Sequence, residues 1–146
     1  MKYFLSLLFL FLFYCTSTKS IVVKDDSIVI KKLESWINLM PGGKPTFHYS
    51  GEIEIRNIDA EKIEIDHIEF LTDQKIINKS FPIYEFSNEV FANYPKVILI
   101  NFYSPQNIKV TEEMLKSEFI DARLKIKIDD ESIEIIHTDI YLLRTY

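Results

Sequence analysis

From Phe47 to Arg56 the chain changes polarity at every step. Phe47, Tyr49, Gly51, Ile53 and Ile55 alternate with His48, Ser50, Glu52, Glu54 and Arg56. Successive side chains of an extended strand leave opposite sides of the backbone, so a period of two marks a strand with one face in a core and one toward water. A helix would scatter the same residues around its circumference. Upstream, Ile28 to Met40 is rich in β-branched residues, with Leu33, Ser35, Ile37 and Leu39 on one parity. Between the two stretches Pro41-Gly42-Gly43-Lys44-Pro45 breaks the pattern. Ser35 to Asn57 therefore reads as two strands joined by a turn, and the rest of the chain is organised around this pair.

Further strand signals follow. Lys62 to Leu71 places Ile63 and Ile65 on one parity and Ile68 and Phe70 on the other, and this slip at Asp66-His67 predicts a β-bulge. Ile76 to Phe86 reads as one strand, with Pro82 arguing for a sheet edge because proline has no N–H for a ladder. Ser87 to Tyr94 reads as a loop or a short turn of helix. In Pro95 to Tyr103, the unbroken run Val97-Ile98-Leu99-Ile100 predicts a strand covered on both faces or central in its sheet. Thr111 to Ile120 is the one helix expected, with Thr111 as N-cap, Glu112 and Glu113 in the first turn, and Met114, Leu115 and Phe119 as a partly apolar stripe. Ala122 to Ile128 alternates, Asp129 to Ser132 turns the chain, and Ile133 to Arg144 returns as the last strand.

About seven strands with short turns and no alternating helices predict an all-β fold. The layout over residues 27–146 resembles an immunoglobulin-like β-sandwich, without the inter-sheet cysteine pair of antibody domains. That resemblance implies Trp36 as a core plug between sheets. A small open barrel is the competing architecture.

The N-terminus reads as a targeting signal. Lys2 precedes a run from Tyr3 to Tyr14 that is apolar except for Ser6. The run is shorter than the about 20 residues of a membrane-spanning helix and matches a secretory leader. Leu12-Phe13-Tyr14-Cys15 resembles the bacterial lipoprotein signal, in which a leucine stands three residues before a cysteine that becomes lipidated and N-terminal. Tyr14 stands where that pattern has a small residue. The resemblance implies a signal peptide over 1–14, lipidation at Cys15, a tether over 15–26 and a domain over 27–146. Ordinary cleavage near Cys15-Thr16-Ser17, giving a secreted protein, is the competing outcome.

Little in the sequence points to catalysis. With 17 basic and 22 acidic residues the net charge is −5, which disfavours nucleic acid, whose binding rests on neutralising phosphates. Three glycines exclude a glycine-rich phosphate loop, and there is no GxSxG, HExxH or CxxC. His48, His67 and His137 lie in separate strand regions; His67 sits beside Asp66 and Glu69, and His137 is followed by Asp139 at a same-face spacing of two. We expect no catalytic residue, metal or cofactor. Asp129-Asp130-Glu131 carries oxygens but lacks the spacing of a calcium loop, and Asn78-Lys79-Ser80 matches the N-glycosylation sequon. The feature most suggestive of a partner is the loop Pro41, Gly42, Gly43, Lys44 and Pro45 with Tyr49 beside it, and Tyr84, Tyr94 and Tyr103 near other strand ends. The expectation is a non-enzymatic, lipid-anchored envelope protein serving as a binding or structural accessory module. It would be held to the membrane through its anchor and would engage an envelope protein. A ligand or metal carrier with a cleft between sheets is the alternative, and a hydrolase the third choice.

Overall fold

The computed structural model describes residues 21–22, 27–87 and 97–146. The expected leader, Cys15, most of the expected tether, and the expected loop or helical turn after Ser87 lie outside the described residues. Ten strands, one α-helix and a short 3-10 turn at Ala60–Lys62 are described; in chain order the strands and helix are β1 Ile21–Val22, β2 Ile28–Asn38, β3 Thr46–Arg56, β4 Ile63–Thr72, β5 Lys75–Ser80, β6 Ile83–Ser87, β7 Val97–Tyr103, β8 Ile108–Lys109, α1 Glu112–Lys116, β9 Phe119–Ile128 and β10 Glu131–Thr145.

The fold is all-β. One mixed sheet runs in the order β5-β4-β9-β10-β2-β3-β7-β6, with β1 added on β10 and β8 on β3. Every neighbour on this path is antiparallel except β10 and β2, which run parallel from Leu142 opposite Ser35 to Thr145 opposite Asn38. The long β10 links the two halves. From Glu131 to His137 it pairs with β9; the register then slips, Asp139 takes a left-handed φ of 58°, and the last residues join β2.

The sheet curls so that its halves face each other. Phe47 of β3 meets Phe70 of β4 edge-on at 4.8 Å, and Tyr49 lies 5.0 Å from the same ring. Such aromatic pairs contribute about 0.5–1.5 kcal/mol beyond the area they bury. Ile53 and Ile55, Ile98, Ile100 and Phe102, and Leu124 and Ile126 complete the core from β3, β7 and β9. These are the inward parities of their strands.

Several expectations meet the structure directly. The β4 register shifts between Ile65 and His67 against β9, so the slip at Asp66-His67 is a bulge. The stretch Ile76 to Phe86 is not one strand but two, β5 and β6, which break at Phe81-Pro82 and join opposite ends of the sheet path. Both are edge strands, where a proline costs no ladder bond. In β7, Ile98 and Ile100 are buried while Val97 and Leu99 are half-buried on the other face, so the apolar run is not covered equally on both faces; the strand lies between β3 and β6, one in from the edge. The helix is half the expected length. Thr111 caps it, accepting from the Met114 N–H at 3.2 Å, but Ser117 is extended and Phe119 and Ile120 open β9 instead. Five residues give too few helical bonds to outlast the pull of a ten-residue ladder.

Trp36 is not the core plug. Leu33, Ser35 and Ile37 take the inward parity of β2, which puts Trp36 on the outer face, half-buried. The space between the halves is filled by Tyr49, Phe47, Phe70 and Phe102.

Candidate partner-binding seam

The outer face of the β10–β2 junction carries a band of apolar side chains. On β10, Ile140 and Leu142 point into the core, so Tyr141 and Leu143 stand outward, 53 % and 50 % exposed. Tyr141 is in register with Phe119 of β9, 49 % exposed, and the two rings meet edge-to-face at 5.6 Å. Leu143 is in register with Trp36 of β2, and Trp36 with His48 of β3. The indole stacks on the imidazole at 5.5 Å and 15°, and the His48 ring is fixed from its far side by Thr46 Oγ1 at 2.9 Å from Nε2. Phe119, Tyr141, Leu143, Trp36 and His48 thus form one strip across four strands.

A groove of about 390 Å³ opens beneath this strip. It lies where β2 and β10 part: N-terminal to Ser35, β2 pairs with β3 alone among the described residues. Leu33, Ser35, Trp36, Ile140, Tyr141 and Leu143 line it together with Glu34. Ser35 Oγ donates to the Tyr141 carbonyl at 3.4 Å, covering one of the backbone acceptors exposed by the split.

The residues expected to bind a partner divide. Pro41, Gly42, Gly43, Lys44 and Pro45 are all exposed and border the strip, since they join the ends of β2 and β3 that carry Trp36 and His48. Gly42 has φ +88°, a conformation that costs glycine nothing and other residues strain. Tyr49 is different. It is fully buried, on the opposite face of β3, so no partner reaches it. Its hydroxyl donates to Ser80 Oγ at 2.8 Å, and burial pushes its pKa up to about 12 against the opposing effect of that bond. Tyr103 is exposed, Tyr84 is half-buried against Phe86, and Tyr94 lies outside the described residues. The sequence did hold a signal for the residues missed: Ile140-Tyr141-Leu142-Leu143 is apolar on both parities, which a one-sided strand has no use for.

The second cluster is ionic. On the outer face of β4, β9 and β10, the buried Glu69 carboxylate meets Arg123 Nη1 at 3.3 Å, His67 Nε2 at 3.3 Å and Lys125 Nζ at 3.8 Å. Lys125 also reaches Glu134 at 3.1 Å. His67 Nδ1 lies 3.1 Å from Asp66 Oδ2 but off the line that a hydrogen bond needs, and is buried without a bonded partner. The two ring nitrogens thus face different carboxylates. Among the described residues no three His, Cys, Asp or Glu side chains converge as metal ligands. Lysines and arginine interleaved with the carboxylates make this a cross-strand charge ladder. The sequon is also committed to the fold: Asn78 Oδ1 is buried, and the Ser80 hydroxyl accepts from Tyr49.

No protein-family model, curated protein or solved structure matches this chain. Among the described residues no helix is long and apolar enough to cross a membrane.

Proposed function

We propose that this chain is a non-enzymatic, lipid-anchored envelope protein whose domain is an immunoglobulin-like β-sandwich and whose work is to bind another protein through the β10–β2 seam. The observation that carries it is the outward strip of Phe119, Tyr141, Leu143 and Trp36 over a groove, on a strand whose other parity already fills the core. Contiguous exposed apolar surface of this kind marks interaction sites.

Strand order supports the sandwich reading. The half β2-β3-β7-β6 has the A-B-E-D order of immunoglobulin domains, and β10-β9-β4-β5 has the G-F-C order with a following C′ strand. The anchor rests on the sequence at Cys15. The carrier reading has less support, because large aromatic side chains occupy the space between the facing halves.

The test has two parts. Intact mass of protein extracted from its native membrane, compared with Cys15→Ala, should give a lipidated chain beginning at Cys15 that the variant lacks. Site-specific photocrosslinking from position 143 should yield a defined protein adduct absent when the crosslinker is at Glu61, an exposed site at the opposite end of the domain. An unmodified chain removes the anchor; equal adducts from both sites remove the seam.

A further inference from the structure

The charge around the seam points to a kind of partner. At the Phe119–Tyr141 end stand Asp121 and Asp139, joined by a bond from the Asp139 N–H to Asp121 Oδ1 at 3.1 Å. Asp121 shares the outward parity of Phe119, and Asp139 sits in the β10 bulge, fully outside. Neither carboxylate has an ion pair among the described residues. The nearest cation along the strand, Arg123, is engaged by Glu69 and Glu134. Glu118 is exposed next to Phe119. Of the other cations near the groove, Lys32 is paired with the groove-lining Glu34 at 2.9 Å, Arg144 is held by the Leu115 and Ser117 carbonyls, and Lys44 and Lys109 stand at the other end, by the β2–β3 loop and opposite Thr46.

We propose that the seam groove takes an extended segment of another protein in which an apolar side chain fills the groove and a neighbouring lysine or arginine meets Asp121 and Asp139. This rests on the binding-module reading and names its partner. The seam groove runs along the strands where β2 leaves β10, which suits an extended chain better than a compact ligand. A second copy of this chain is a poor occupant, since each carries a net charge of −5 and like charges repel. The anchoring bilayer is also poorly placed. The backbone of β1 joins β10 at Ile133–Glu134, and the seam lies about eight residues farther along, on the order of 26 Å away at the rise of a strand.

Trp36 is the only tryptophan in the chain, so its emission reports on this site alone. The full chain would be titrated with a capped peptide alternating valine and lysine, with its valine–glutamate twin, and with zwitterionic and anionic lipid vesicles. The expected result is a saturable change in Trp36 emission with the valine–lysine peptide, weakened by salt and absent with the twin and the vesicles. Asp139→Asn should weaken that binding roughly two- to fivefold, the size of one exposed ion pair, and Leu143→Lys should abolish it while the far-ultraviolet spectrum is unchanged. Equal response to both peptides overturns the basic partner but keeps the binding seam. Response to neither peptide overturns both. A response to vesicles, or an emission change with protein concentration accompanied by dimer in sedimentation, overturns the proposal in favour of lipid or a second copy.

Discussion

The Tyr49 hydroxyl donates to Ser80 Oγ at 2.8 Å across the core, tying β3 in one half of the sheet to β5 in the other. Both groups are buried, so neither has water as a substitute partner. Tyr49→Phe leaves the Ser80 hydroxyl unpaired and should cost about 1–2 kcal/mol in urea unfolding. Tyr49→Phe with Ser80→Ala should cost less than the sum of the two single changes, because the second removes an already orphaned group.

The same phenol gives a prediction at high pH. Its folded pKa of about 12 exceeds the ordinary 10.0 because burial disfavours the phenolate. Its contribution to stability is therefore complete below pH 10 and declines as pH rises toward 12. In a spectrophotometric titration one tyrosine should ionise near the upper limit, well after the exposed ones, and Tyr49→Phe should remove that step.

At low pH the relevant group is Glu54. Lys31 Nζ at 3.0 Å and Arg56 Nε at 2.7 Å hold its carboxyl below the ordinary 4.5, the bond from Lys31 first, against a smaller upward pull from burial. A depressed folded pKa gives stability that is present above the unfolded value and lost as pH falls through the folded one. Glu54→Gln should lower stability at pH 7 and flatten the acid side of a melting-temperature profile. An unchanged acid limb would show that the pair does not couple to folding.

Gly51 faces Phe102 directly across β3 and β7, and a Cβ there would clash with the Phe102 ring and come within 2.9 Å of the Lys32 carbonyl. Lys32 lies at the β2 register shift. Gly51→Ala should cost about 1–3 kcal/mol, the range of overpacking in a dense core. Adding Phe102→Leu should recover part of the loss if the ring is what resists; no recovery would assign the cost to the backbone.

Leu143 is half exposed and its partner across the seam is Trp36. Leu143→Lys should leave chemical stability within about 0.5 kcal/mol, as for other surface changes, while it removes the change in Trp36 emission on titration with the valine–lysine peptide. A large loss of stability would instead make the strip structural.

Much of the fold was legible in local polarity. The alternation from Phe47 to Arg56 marked β3 and its inward face, and the slip at Asp66-His67 marked the bulge, because both depend only on which side of a strand each residue leaves. The site was legible in part. The loop Pro41 to Pro45 was found because proline and glycine declare a turn by their own geometry, but Tyr49 was assigned to it although its parity placed it with Phe47 and Ile53 in the core. Trp36 lies on the outward parity of β2, and only the resemblance to antibody-type sandwiches points it to the core.

Sequence alone determined most strands and their faces, the acidic balance and the apolar N-terminal run, since these are properties of a residue and its neighbours in the chain. Tertiary structure decided which strands meet. Nothing local in Ile140-Tyr141-Leu142-Leu143 says that β10 bends at Asp139 and continues in parallel beside β2. Nor does Phe81-Pro82 say that the chain there passes from one end of the sheet to the other. Pairing β10 with β2 joins residues about a hundred positions apart, and it depends on the burial that the whole curled sheet gains, which no single segment records. That pairing brings Phe119, Tyr141, Leu143 and Trp36 into one strip, so the candidate site belongs to the tertiary structure.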